Sequence, residues 1–218
     1  PYNPAYLPHK WRGWWDFGCC AMGDMGCHIL DAPYTCLNLG APVRVSSETS
    51  GVNNETGPLW SILTFEFPER DKLPPVKLTW FDGGKLPPRP EGIPADFRLG
   101  DKDGGSLFLG DKGSITVGTY GNGPKFLSPE QQQQWEANAP ERAAAVGHHR
   151  SWIEACKGGK PSLSNFDYAA PFTEVVLLGN VAMRAGEPIA WDTSTKRVTN
   201  VVEANTYVDP PYRTGWRL

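Results

Sequence analysis

The spacing of apolar and polar positions divides the chain into a loop, a helix, a run of strands and a second helical half. Residues 1–22, PYNPAYLPHKWRGWWDFGCCAM, follow neither a helical nor a two-residue period; three prolines and a dense aromatic group mark them as a loop. From Gly23 to Leu39 the apolar spacing turns helical, with Ile29, Leu30, Leu37 and Leu39 as the apolar surface, Pro33 as a kink or restart and Gly40 as the C-cap. VRVSSETSGV (43–52), LWSILTFEF (59–67) and VKLTWFDGG (76–84) are β-branched, aromatic or alternating runs separated by Gly and Pro, which predicts antiparallel strands. SLFLGDKGSITVGTY (106–120) predicts a hairpin turning at Asp111, Lys112 and Gly113. The Pro/Gly-rich KLPPRPEGIPADFRLGDKDGG before it is a long loop, a candidate lid or subunit contact.

Past the polar stretch LSPEQQQQWEANAPER, a helix is predicted over about residues 142–157, ended by Gly158 and Gly159. A second, over about 171–185 (PFTEVVLLGNVAMRA), is so broadly apolar that it needs a large surface to lie against, namely the sheet. The tail adds a short strand and an irregular end, and there is no repeat of fixed period. This order predicts an α+β domain spanning residues 1–218, an open, mainly antiparallel sheet with helices on one face.

Composition narrows the partners. The net charge is −3, with 21 basic and 24 acidic residues spread along the chain, so there is no electrostatic footprint for nucleic acid or an anionic membrane. No apolar run reaches the roughly 20 residues of a membrane span, and the start lacks the order of a signal peptide. Five cysteines, Cys19, Cys20, Cys27, Cys36 and Cys156, make an odd and crowded set that suits reduced thiols and favours a cytoplasmic location; a periplasmic one stays open if an export signal lies upstream. The abrupt PYNPAY opening without an initiator methionine suggests that upstream sequence is missing.

The candidate chemistry lies in GDMGCHILD, residues 23–31. On a helix, Asp24 and His28 stand four positions apart on one face, their Cβ atoms about 5–6 Å from each other. Imidazole titrates nearest neutrality, and a neighbouring carboxylate stabilises its charged form and fixes its orientation, which suits removal of a hydroxyl proton while hydride leaves the same carbon. For an isolated Asp-x-x-x-His the commoner outcome is plainer: the aspartate caps the helix and the histidine satisfies a buried hydrogen bond. Trp11, Trp14, Trp15 and Phe17 precede the pair, and flat rings with a polar edge suit the C–H faces of a pyranose; some of them also serve as core anchors. Arg12 and Lys10 are candidates for a sugar hydroxyl, a carboxylate or a cofactor phosphate, with a solvated loop cation as the alternative. Asp31 reads as a cap for the segment restarted at Pro33, and Asp167 and Tyr168 as structural residues in a turn and cap. Vicinal cysteines without a Cys-x-x-Cys partner are poor zinc spacing, so no metal is expected.

The stretches WRGWWDFGCCAMGDMGCHILD, GGSLFLGDKGSITVGTYG and SNFDYAAPFTEVVLLGNVAMRAG, with YRTGW at the end, resemble in order and spacing the C-terminal domain of the Gfo/Idh/MocA oxidoreductases, named for glucose-fructose oxidoreductase and inositol dehydrogenase. The resemblance implies a two-domain enzyme: an N-terminal Rossmann domain that binds NAD or NADP, and a C-terminal domain whose open sheet supports oligomers and whose first helix carries Asp-x-x-x-His. By that correspondence His28 is the acid/base and Asp24 its partner, with Trp11, Arg12, Trp14 and Trp15 as substrate-binding residues. The chain has neither the Glu-Lys-Pro from which the family draws a catalytic lysine nor a Gly-x-Gly-x-x-Gly, so the Rossmann half is expected to be absent and the chain alone to bind no cofactor. The function so implied is the substrate-binding and catalytic-base half of an NAD(P)-dependent oxidoreductase acting on a carbohydrate or cyclitol hydroxyl. The alternatives are an NAD-dependent glycosidase of the same family working by transient oxidation and elimination, and a stand-alone carbohydrate-binding or assembly module. A homodimer or tetramer is expected through the sheet, where Trp60, Ile62, Leu78 and Trp80 offer apolar surface.

Overall fold

A computed structural model describes residues 2–7, 9–141 and 146–215. In chain order the elements are α1 (Cys20–Ile29), α2 (Asp31–Cys36), β1 (Arg44–Thr49), β2 (Ser61–Phe67), β3 (Val76–Phe81), β4 (Ser106–Gly110), β5 (Gly113–Val117) and β6 (Lys125–Phe126). There follow α3 (Pro129–Asn138), α4 (His148–Cys156), α5 (Phe166–Ala185), β7 (Ile189–Asp192), β8 (Arg197–Val198) and α6 (Asn205–Val208). Two short 3-10 turns, Pro4–Tyr6 and Lys10–Gly13, give the aromatic opening some order. The chain is α+β: five strands in the order β3-β2-β1-β7-β8 form one sheet with antiparallel neighbours, and β4-β5-β6 form a second, also antiparallel.

Two-residue alternation decides which side of the large sheet is dry. Ser61, Leu63, Phe65 and Phe67 of β2 are buried, and the register sets Leu63 between Ser47 and Trp80, and Phe65 between Val45 and Leu78. Against this face lies α5, where Gly179 marks the closest approach: a Cβ there would stand 2.9 Å from Leu63 and 3.1 Å from Phe65. Asn165 caps α5 by accepting hydrogen bonds from the amides of Asp167 and Tyr168, as the turn-and-cap reading of SNFDYAAP expects. Gly186, in the left-handed region at φ 72°, ends it.

Several boundaries differ from the sequence pattern. Helix α5 starts at Phe166, five residues before Pro171, so that proline lies inside the helix, where the spacing had it opening one. The first helix begins at Cys20, and its restart falls at Leu30–Asp31, ahead of Pro33. Helix α3 was read as a polar connection because it has no apolar stripe; Ser128 caps it by accepting from Gln131 N–H, with Pro129 at the first helical position. Residues 142–145 of the helix expected over 142–157, and Trp216 of the terminal YRTGW, lie outside the described residues; α4 covers His148–Cys156.

The opposite face of the large sheet is mixed. Leu78 shares the core face with Phe65, and Trp80 is only 4% exposed, so both point away from it. It carries instead Ile62 between Glu48 and Phe81, Thr64 between Ser46 and Thr79, and Glu66 between Arg44 and Lys77. Trp60 lies just before β2, with the Lys85 ammonium 4.3 Å from its ring centroid.

Candidate functional site

Helix α1 is pinned from the inside. Met22, Gly26 and Leu30 are buried, and Gly26 lets the helix cross α5 closely: a Cβ there would stand 3.3 Å from Val176. Asn180 of α5 donates from Nδ2 to the Cys19 carbonyl at 3.1 Å, tying down the start of the helix. With one stripe so buried, helical geometry turns Asp24, Cys27, His28 and Asp31 outward, and the first three of these are exposed, as is Asp31 at the start of α2.

Asp24 and His28 both stand at the surface. The Arg12 guanidinium, carried on the Lys10–Gly13 turn, forms an ion pair with Asp24 Oδ2 through Nη1; the two side chains are 32% and 43% exposed. The His28 ring meets Tyr120, in the segment after β5, edge-on at 5.2 Å between centroids. Between the pair, Cys27 gives its thiol proton to the Asp24 carbonyl at 3.1 Å; burial pushes that thiol up, and the Asp24 and Asp31 carboxylates act in the same direction. Ser106 Oγ donates to the Ile29 carbonyl at 2.9 Å, so the small sheet braces the helix end that carries His28.

A further polar group, underestimated in the sequence, continues the row. Tyr168 of α5 donates its phenol proton to Asp31 Oδ1. Because that proton is committed, Thr35 Oγ1 donates to the phenol oxygen at 2.8 Å. Burial and then the Asp31 hydrogen bond push the Tyr168 phenol up to about 12. Asp31 has no capping bond at Pro33; it joins α2 to α5. Nothing in local sequence signals this contact, since it spans 137 positions.

The tryptophans differ in use. Trp14 donates from Nε1 to the Ala5 carbonyl at 3.2 Å and stands 5.0 Å from the Tyr6 ring, and Trp15 donates to the Asn53 carbonyl at 3.0 Å with the Arg184 guanidinium over its face at 5.2 Å. Both anchor the opening segment. Trp11 is 46% exposed, and it is the tryptophan of the three with a ring open to a ligand. Arg12 is the expected substrate residue that the structure brings directly to Asp24.

At the start of α1 lies a hollow of about 390 Å³, walled by His9, Lys10 and Arg12, by Cys20 and Ala21, and by Asp82; Arg12 connects it to Asp24. Its volume falls within the range of small-molecule sites. Cys20 takes the left-handed conformation at φ 57°, an uncommon state for a residue with a side chain. Burial, followed by the charges of Cys19 and Asp82, pushes its thiol up to about 11. Asp82 accepts from Ser61 N–H at 2.6 Å, from Ser61 Oγ at 2.8 Å and from Trp80 Nε1 at 2.7 Å. A second hollow of about 290 Å³ has Ser47, Asn53, Arg184 and Tyr207 in its walls; Met183 lines both.

The described residues do not fit a dinucleotide. Every strand pair is antiparallel, so there is no parallel crossover whose helix N-terminus would meet a pyrophosphate, and the sequence has no Gly-x-Gly-x-x-Gly. Among the described residues no group of three or more His, Cys, Asp or Glu is placed to hold a metal ion, and no helix is long and apolar enough to cross a membrane. Compared with known protein families and with curated proteins, the sequence matches none.

Proposed function

We propose that this chain is the substrate-binding and catalytic-base domain of a Gfo/Idh/MocA-type NAD(P)-dependent oxidoreductase acting on a carbohydrate or cyclitol hydroxyl. The observation that supports it is the exposed Asp24–His28 pair, one helical turn apart on a helix fixed from its inner side, with Arg12, the ion-pair partner of Asp24, in the wall of a hollow of ligand size. In this reading His28 accepts the proton of the reacting hydroxyl, and Asp24 stabilises the imidazolium that results. Arg12 holds the Asp24 carboxylate in place, and Trp11 offers an apolar face to the ring. The nicotinamide dinucleotide is held by an N-terminal Rossmann domain and not by these residues, and subunits associate through the open sheet face.

The test is to offer the 218-residue chain a panel of monosaccharides and cyclitols, following binding by saturation-transfer NMR and NADH formation by absorbance with NAD or NADP present. The expected outcome is binding without NADH. Turnover by the chain alone would refute the division of labour, and a panel without any binder would refute the carbohydrate reading.

A further inference from the structure

We infer that the hollow beside Arg12 seats a carboxylate, so that the substrate is a sugar acid of the hexuronate or aldonate class. This rests on the carbohydrate reading above and narrows it. Three nitrogen bases within four consecutive positions, His9, Lys10 and Arg12, line one wall. Among the described residues Lys10 forms no ion pair, and Arg12 spends only Nη1, on Asp24. The remaining edge of the guanidinium is a planar fork matched to two carboxylate oxygens, and the ammonium is a mobile point charge beside it.

The acidic members of the same region are already occupied. Asp82 accepts three hydrogen bonds from Ser61 and Trp80, and Asp24 is paired with Arg12. Two cations and two engaged carboxylates leave the region close to neutral before a ligand arrives, which favours a monoanion over a phosphate dianion. The carboxylates keep spare acceptor lone pairs for hydroxyl groups, which a sugar acid has and a simple carboxylic acid lacks.

Arg12 links the hollow to the pair: it lines the wall and reaches α1 at Asp24, with His28 one helical turn further on. On this proposal the carboxylate rests on Arg12 and Lys10, and the ring extends out of the hollow along α1 toward His28. A neutral sugar fills the same space but leaves the ammonium and the guanidinium edge without a partner.

Isothermal titration calorimetry of the 218-residue chain with glucuronate, gluconate, glucose, myo-inositol and inorganic phosphate, at low and at physiological ionic strength, tests this. The expected result is that the sugar acids bind at least about tenfold more tightly than glucose, as one charge-assisted pair implies, and that added salt narrows the gap. Lys10→Ala removes the preference while glucose binding and the circular dichroism spectrum stay unchanged, and Arg12→Lys, which loses the planar fork, weakens sugar-acid binding further. Equal binding of glucuronate and glucose, insensitive to Lys10→Ala, would overturn the inference and leave the carbohydrate reading standing. Preference for inorganic phosphate would overturn the carboxylate assignment alone, and no binding of any carbohydrate would overturn both readings.

Discussion

A side chain proposed to remove a proton has to be reachable, and His28 is held at the surface by its helix neighbours, with the Tyr120 ring edge against it. In the two-domain oxidoreductase proposed above, His28→Gln is expected to lower kcat about 10²–10⁴-fold, the range of general acid–base catalysis, with little change in KM. A comparable rise in KM with kcat intact would assign His28 to binding instead. Arg12→Ala removes a half-exposed ion pair, so stability in urea should change by no more than about 1 kcal/mol; a large loss of ligand affinity in that variant is then an effect on the site. Cys20 supplies a pH dependence with a defined sign. Its folded thiol stands at about 11 against an ordinary 9.0, so the stability gained by keeping it protonated is whole below pH 9.0 and is lost as the pH rises through about 11. At pH 8, alkylation followed by peptide mass spectrometry should label the exposed Cys36 and Cys156 well before Cys20. The spacing of Asp24 and His28 was legible in the sequence because a helix fixes it locally, whereas the Asp31–Tyr168 bond required the tertiary fold.

At the level of elements, legibility follows how much an element depends on its own residues. The alternation in 59–67 predicted β2 because each inward residue is buried against α5 and its strand neighbours, and the turn at Asp111–Gly113 joins the expected hairpin of β4 and β5. Helix α3 escaped because Gln and Glu propensity and one cap sustain it without any apolar stripe to read. The spacing places the start of α5 at Pro171 because a proline is read as a helix opening, while the Asn165 cap overrides it from six residues upstream of that ring. Gly179 is the point where α5 meets β2 most closely, so Gly179→Val is expected to cost about 1–3 kcal/mol by overpacking against Leu63 and Phe65, read as a lower urea midpoint. Beside the small sheet, Asp101 accepts from the amides of Thr119, Asp103 and Gly104 and from Thr119 Oγ1, and these bonds hold its carboxyl at about 2. The sign is the reverse of that for Cys20: this stability is present above the ordinary 3.8 and disappears as the pH falls through about 2. The protection of the β5 amides, corrected for the intrinsic exchange rate at each pH, should therefore fall on acidification across that interval, and Asp101→Asn should abolish the change.

For the whole molecule, the sheet is where pattern and structure differ in emphasis. Of the four apolar residues expected on its open face, Leu78 and Trp80 belong to the core and Trp60 lies just before β2, leaving Ile62, beside Phe81, among hydroxyls and alternating charges. An association through this face is therefore governed by register as much as by apolar area, because Arg44, Glu66 and Lys77 have to find opposite charges across it. The expected outcome is a dimer or tetramer in light scattering at micromolar concentration that Ile62→Lys dissociates; a monomer in the unaltered chain would count against this face as an interface.

Met183 belongs to the walls of both hollows. Its side chain is almost wholly buried, so a change of bulk at this one position near the end of α5 alters both linings together.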